Sequence, residues 1–182
     1  MKKLILIIFV LIGCGTEEEK NQQPELPQKN YGKYEMFVDN FIAIAEQEGV
    51  VVGKQQIDNL RLIDTADQEQ ILNLGFNKYT LGVCLIQRYN SIHIEKRFSE
   101  TAKATLLKFV IFHELGHCLL NAEHTHDKSS LMAEQLPDFV YFTNDEKVFD
   151  NAIRKFFQDY LQGKFTKNED IFPIVINNGT LP

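Results

Sequence analysis

Hydrophobic positions recur along this chain with two periods, and they divide it into helical and extended stretches. Met36, Phe37, Phe41, Ile42, Ile44 and Ala45 fall at mostly helical spacing and stop at Gly49, a residue suited to ending a helix. Val50-Val51-Val52 then predicts the start of a strand, Ile57 to Ile63 a second, and Leu81 to Leu85 a third. Ser91-Ile92-His93-Ile94-Glu95 alternates apolar with polar and predicts a half-buried strand. The longest pattern follows it. Leu106, Leu107, Val110, Ile111, Leu115 and Leu119 line one face of a helix predicted from about Glu100 to Asn121. A last helix is expected to open at Thr143-Asn144-Asp145-Glu146, which has the form of a capping box. It carries Val148, Phe149, Ile153, Phe156, Phe157, Tyr160 and Leu161 and closes near Gly163. No internal repeat is visible.

Length and composition narrow the class. A chain of 182 residues is the size of one domain once any targeting segment is set aside. Fourteen Phe and six Tyr can fill a core that has no Trp. A formal net charge of −6 leaves no basic footprint for nucleic acid, so no nucleic-acid partner is expected.

The N-terminus reads as a targeting segment. Met1-Lys2-Lys3 is basic, and the apolar run from Leu4 to Ile12 is too short to span a bilayer. Leu11-Ile12-Gly13-Cys14 resembles a bacterial lipobox, in which the cysteine is lipidated and becomes the mature N-terminus. The alternative is an uncleaved apolar anchor. The acidic run Glu17-Glu18-Glu19 resembles a lipoprotein surface-export signal, and no Asp follows Cys14. The expected organisation is a signal peptide over 1–14, a flexible tether over 15–33 carrying Pro24 and Pro27, a folded domain over 34–163 and a tail over 164–182. The chain would then sit outside the cytoplasm as a membrane-anchored monomer, at the outer membrane or cell surface.

Residues 113–117 read His113-Glu114-Leu115-Gly116-His117 within the long helix. Positions i and i+4 share one helix face, so two imidazoles there can hold one zinc ion while Glu114 works on its water. A hydrolytic zinc site needs a third protein ligand from beyond the helix. The segment after it, Asn121-Ala122-Glu123-His124-Thr125-His126, offers His124 first, with His126 and Glu123 as alternatives. His93 reads as an exposed strand histidine rather than a ligand.

With these residues the chain resembles the metzincins, a clan of zinc endopeptidases with the motif HExxHxxGxxH and a methionine turn beneath the metal. The pattern is shifted. Leu120 stands at the glycine position and Glu123 at the third-ligand position. With one residue inserted, Asn121 replaces the glycine and His124 the ligand, and Asn readily takes the positive φ that this helix end requires. Ser129-Ser130-Leu131-Met132 resembles the methionine turn, with Met132 as a soft packing base under the imidazoles. The resemblance covers about residues 110–132 at motif level. It implies an α/β (α+β) zincin domain, with a small mixed sheet, an active-site helix and a C-terminal helix. It also implies zinc as cofactor, a protein or peptide substrate, and Glu114 as general base. Tyr141 is a candidate oxyanion stabiliser. The strand over 91–95 is the natural candidate for a sheet edge that holds an extended substrate.

Setting Cys14 aside leaves Cys84 and Cys118, which form either one disulfide or two buried thiols. Cys118 follows His117 directly, and a residue one position on points about 100° round the helix, so it is a poor ligand. Two other readings compete. Glu146-Lys147-Val148-Phe149-Asp150 resembles the Glu-x-x-x-Asp element of gluzincins, with Glu146 as third ligand. A zincin-like scaffold used only for binding at the cell surface is the other.

Overall fold

The alternating stretch at residues 90–95 lies in the middle of a sheet, not at its rim. A computed structural model describes residues 26–133 and 146–165 and the backbone of Ile174–Val175. Its strands are β1 (Leu60–Ala66), β2 (Gly82–Ile86), β3 (Asn90–Glu95) and the two-residue β4 (Ile174–Val175), in the order β1-β3-β2-β4. Strand β3 pairs in parallel with β1 and antiparallel with β2, so the sheet is mixed. The expectation that residues 91–95 form the edge is therefore corrected. A period of two reports which face of a strand is buried, and both edge and interior strands can show it.

The helices are α1 (Glu35–Gln47), α2 (Lys54–Asn59), α3 (Gln68–Asn73), α4 (Lys96–Thr101), α5 (Ala104–Leu120) and α6 (Glu146–Leu161). Three departures from the sequence reading have local causes. Val50–Val52 form no strand. They are a connection in which Val50 and Val52 are buried while Val51 is 84% exposed. The strand expected from Ile57 starts only at Leu60, because the polar run from Lys54 makes a helical turn braced by a Lys54–Asp58 ion pair at i,i+4. The long helix expected from Glu100 is broken. Glu95 caps α4 through the backbone N–H groups of Arg97 and Phe98. Ala102 and Lys103 are then extended (ψ 147° and 145°), and α5 begins afresh at Ala104.

Helix α5 is apolar on all sides, which fits a helix buried on all sides. Every residue from Phe109 to Leu120 is buried. Strands β2 and β3 cover it on one side, and α1 and α6 lie against it on others. Phenylalanines fill the space between these helices. Phe41 meets Phe112 edge-on at 5.3 Å and Phe157 at 5.1 Å, and Phe109 meets Phe149 at 5.4 Å. A smaller cluster of Ala66, Ile71, Phe76, Val83 and Leu85 fills the other face of the sheet. There Asp67 and Gln70 form a capping box on α3.

The chain is pinned earlier than the tether expected over 15–33 allows. Asn30 donates its N–H to the Arg61 carbonyl at 2.8 Å and accepts from the Ile63 N–H at 3.0 Å, and the Tyr31 hydroxyl donates to the Leu60 carbonyl at 2.7 Å. Cys14 and the signal segment lie outside the described residues, as do Tyr141 and the Thr143–Asp145 part of the expected capping box. Among the described residues, no helix is long and apolar enough to cross a membrane.

Candidate metal centre

The last two turns of α5 carry His113, Glu114 and His117, all buried. The helix then stops at Asn121, whose φ of 53° and ψ of 36° place it in the left-handed region. Among the described residues it is the one non-glycine with positive φ. A left-handed residue turns the chain back on the helix end. The N–H of Asn121 donates to the His117 carbonyl at 3.0 Å, and that of Ala122 to the Gly116 carbonyl at 3.1 Å. The turn delivers His124 to the two helical imidazoles.

Three Nε2 atoms meet there. His113 and His117 are 3.0 Å apart, His113 and His124 3.1 Å, and His117 and His124 3.3 Å. The tautomers of two rings follow from their other nitrogen. His113 Nδ1 lies 2.7 Å from the Leu131 carbonyl oxygen, and His117 Nδ1 lies 2.6 Å from that of Ala122. A carbonyl oxygen only accepts, so both Nδ1 atoms carry the hydrogen and both Nε2 atoms present lone pairs. Lone pairs facing each other at 3.0 Å repel unless a cation lies between them. A proton is disfavoured in that role. Burial, followed by the neighbouring imidazoles, holds His113 well below its ordinary range, and burial with His124 holds His117 down at about 3. Tetrahedral zinc with bonds of about 2.05 Å would place its nitrogen ligands roughly 3.3 Å apart, close to the observed spacing. His113, His117 and His124 thus lie close enough to hold one metal ion, and the donor set fits one.

The other proposed ligands are not brought together. His126 is exposed and Glu123 half-buried, and neither belongs to the cluster. Glu146 is exposed on the first turn of α6, and Asp150 pairs with Lys108 at 3.6 Å. His93 is half-buried, where an exposed residue was expected, and its Nε2 lies 3.1 Å from the Ser91 hydroxyl.

Glu114 is fully buried, with no hydrogen-bond partner for either carboxylate oxygen. Burial raises its pKa well above the usual carboxylate range. The backbone of Cys84 opposes that shift without a well-formed hydrogen bond to either oxygen. Gly82 lets the sheet come this close. A Cβ there would lie 2.9 Å from Val110 Cγ1 and 3.0 Å from Glu114 Oε1. Two residues on, Cys84 and Cys118 are joined in a disulfide with a Cα separation of 5.7 Å, which ties β2 to the residue after His117. Asn90 of β3 adds a hydrogen bond from Nδ2 to the Cys118 carbonyl at 2.7 Å.

Met132 is fully buried against the metal helix. A Cβ on Gly116 would meet its Sδ at 2.7 Å, so the glycine inside the motif is the seat of the methionine. The turn holds itself. Ser130 Oγ accepts from the Met132 N–H, Thr125 donates its N–H to the Met132 carbonyl, and Asp127 accepts from Ser129 and from Lys155 of α6. Gly82, Gly116 and the carbonyls of Leu131 and Ala122 were absent from the sequence reading. Gly116 stands inside the motif, but a glycine there carries no sequence signal of the buried Met132 it faces. Backbone carbonyls leave none.

Searches of protein-family models, of curated proteins and of solved structures each gave no match to this chain.

Proposed function

We propose that the chain is a zinc-dependent endopeptidase of metzincin type, with His113, His117 and His124 as ligands and Glu114 as general base. The observation that carries the reading is the cluster of three imidazole Nε2 atoms within 3.3 Å, two of them with their tautomer fixed by backbone carbonyls. Zinc bound there would polarise a peptide carbonyl and acidify water. Glu114 then has a defined task. Its carboxylate takes a proton from the water whose oxygen bonds to the carbonyl carbon, and returns a proton to the amine as the C–N bond breaks. A carboxyl whose proton affinity is raised by burial suits both halves of that task. The left-handed Asn121 and the seated Met132 support the metzincin assignment over the gluzincin one, which needs Glu146 at the metal.

The correction at β3 moves the substrate-binding edge. Strand β3 is flanked by β1 and β2 along its length, whereas β2 lies against α5, touches Glu114 at Gly82 and, among the described residues, has only the two-residue β4 on its far side. An extended peptide would therefore add to the far side of β2. The same proposal places the chain outside the cytoplasm, tethered through lipid on Cys14. The Cys84–Cys118 disulfide suits an oxidising compartment.

The test is metal content and peptidase activity of a soluble chain starting after Cys14. One zinc per chain, lost in His124→Ala and kept in Glu146→Ala, is expected. Glu114→Gln should keep the zinc and lose cleavage of an unstructured protein substrate. A folded wild type that takes up no zinc overturns the proposal. Zinc uptake without cleavage by wild type leaves the binding scaffold in its place.

A further inference from the structure

The far side of β2 already has an occupant. Ile174 pairs with Cys84 and Val175 with Val83, antiparallel, as the fourth strand of the sheet. Val83 is the neighbour of Gly82, the residue that lies against Glu114. Cys84 is the residue bonded to Cys118, beside His117. Paired strands lie about 4.8 Å apart, so the backbone at 174–175 runs one strand spacing from the stretch of β2 that adjoins the proposed general base.

From this pairing we infer that Ile174–Val175 is a strand ligand of the protein's own cleft edge, which a peptide substrate must displace. The inference rests on the endopeptidase reading for its consequence, but the pairing can be tested without it. The edge of β2 is a row of backbone donors and acceptors, and such a row accepts any extended chain of suitable register. A tethered segment has the advantage of high effective concentration. The two strands that compete for β2 have the same chemistry, backbone N–H and C=O groups. Only one of them is on the same chain.

The experiment uses the zinc-loaded chain starting after Cys14 but otherwise complete, as wild type and as Ile174→Pro/Val175→Pro. Proline removes both backbone donors, so it breaks the pairing whichever residue donates. Amide exchange over residues 82–86 should be faster in the double variant, with zinc content and melting temperature little changed. Cleavage of a fluorogenic peptide should rise by about threefold or more, since apparent affinity scales with the fraction of time the edge is free. A synthetic peptide copying residues 170–178 should slow both exchange and cleavage when added to the variant. Equal exchange over 82–86 in the two proteins, with no effect of the peptide, overturns the inference. Faster exchange in the variant with no cleavage by either protein keeps the strand pairing and fails the endopeptidase reading instead. Should the double variant fold poorly, the same peptide added to wild type at increasing concentration provides the readout. Competition with the tethered strand leaves wild type less sensitive than a free edge would be, and sensitivity equal to that of a free edge counts against the inference.

Discussion

Replacing Gly116 by alanine puts the link between the methionine turn and the metal to the test. In an unconstrained helix the change should stabilise by about 1 kcal/mol, because glycine is the poorer helix former. Here the added Cβ would meet Met132 Sδ at 2.7 Å, Met132 Cε at 3.4 Å and Phe156 Cζ at 3.4 Å. Both neighbours are fully buried, so neither can swing into solvent. Overpacking of this kind costs roughly 1–3 kcal/mol, which outweighs the helix gain and leaves a net loss of about 0–2 kcal/mol. The metal should register it too. Met132 follows Leu131, whose carbonyl holds His113 Nδ1 at 2.7 Å, so a displaced turn loosens the ring that points Nε2 at the cluster. Loss of such an orienting bond weakens zinc binding by about 10- to 100-fold. Urea unfolding of the metal-free protein and competitive zinc titration read the two effects separately. A Met132→Ala background makes the test decisive. With the thioether gone, Gly116→Ala should recover its stabilising sign, and the difference between backgrounds is the coupling energy. If Gly116→Ala stabilises by about 1 kcal/mol in both backgrounds and leaves zinc affinity unchanged, the placement of Met132 against Gly116 is refuted.

Three further outcomes are expected. Gly82→Ala would drive a Cβ to 3.0 Å from Glu114 Oε1, so peptide cleavage should fall about 10- to 100-fold while zinc content holds, and a parallel loss of both would refute the division of roles. Removing the disulfide as Cys84→Ala/Cys118→Ala opens a loop spanning a separation of 34 residues, worth about 3–4 kcal/mol by chain entropy, and a loss in urea unfolding below about 1 kcal/mol would count against it. Metal-free Glu114→Gln protein should lose stability as pH falls from 6.5 toward 3, because the unfolded chain takes a proton that folded His117 refuses. The slope should reach about 1.4 kcal/mol per pH unit for that ring, with His113 acting in the same direction. Glu114 is replaced there because its raised pKa acts oppositely, and a flat pH profile would show that the rings are not buried as described.

What could be read from the sequence depended on how local its cause was. Asn121 was legible because one residue type at one helix end satisfies one backbone angle, and φ there is 53°. The pairing of His113 with His117 was legible because helical spacing alone sets it. The position of β3 was not. Its alternation fixes which faces are buried, but its neighbours are chosen by β1 and β2, which lie 24 or more and 4 or more residues away along the chain and compete for the same two edges. The break at Ala102–Lys103 was missed for a similar reason. Apolar spacing runs on through it, while Glu95 starts a separate short helix and the extended backbone of Ala102 and Lys103 ends it. The same division runs through the site. Its three histidines announce themselves by side-chain chemistry. The parts that aim them are two carbonyls and two absent Cβ atoms, at Leu131, Ala122, Gly116 and Gly82. Carbonyls are common to every residue, and a missing Cβ has meaning only once its neighbour is known. The clustering of His113, His117 and His124 could therefore be read from sequence, while the precision of their arrangement rests on groups that only the folded chain identifies.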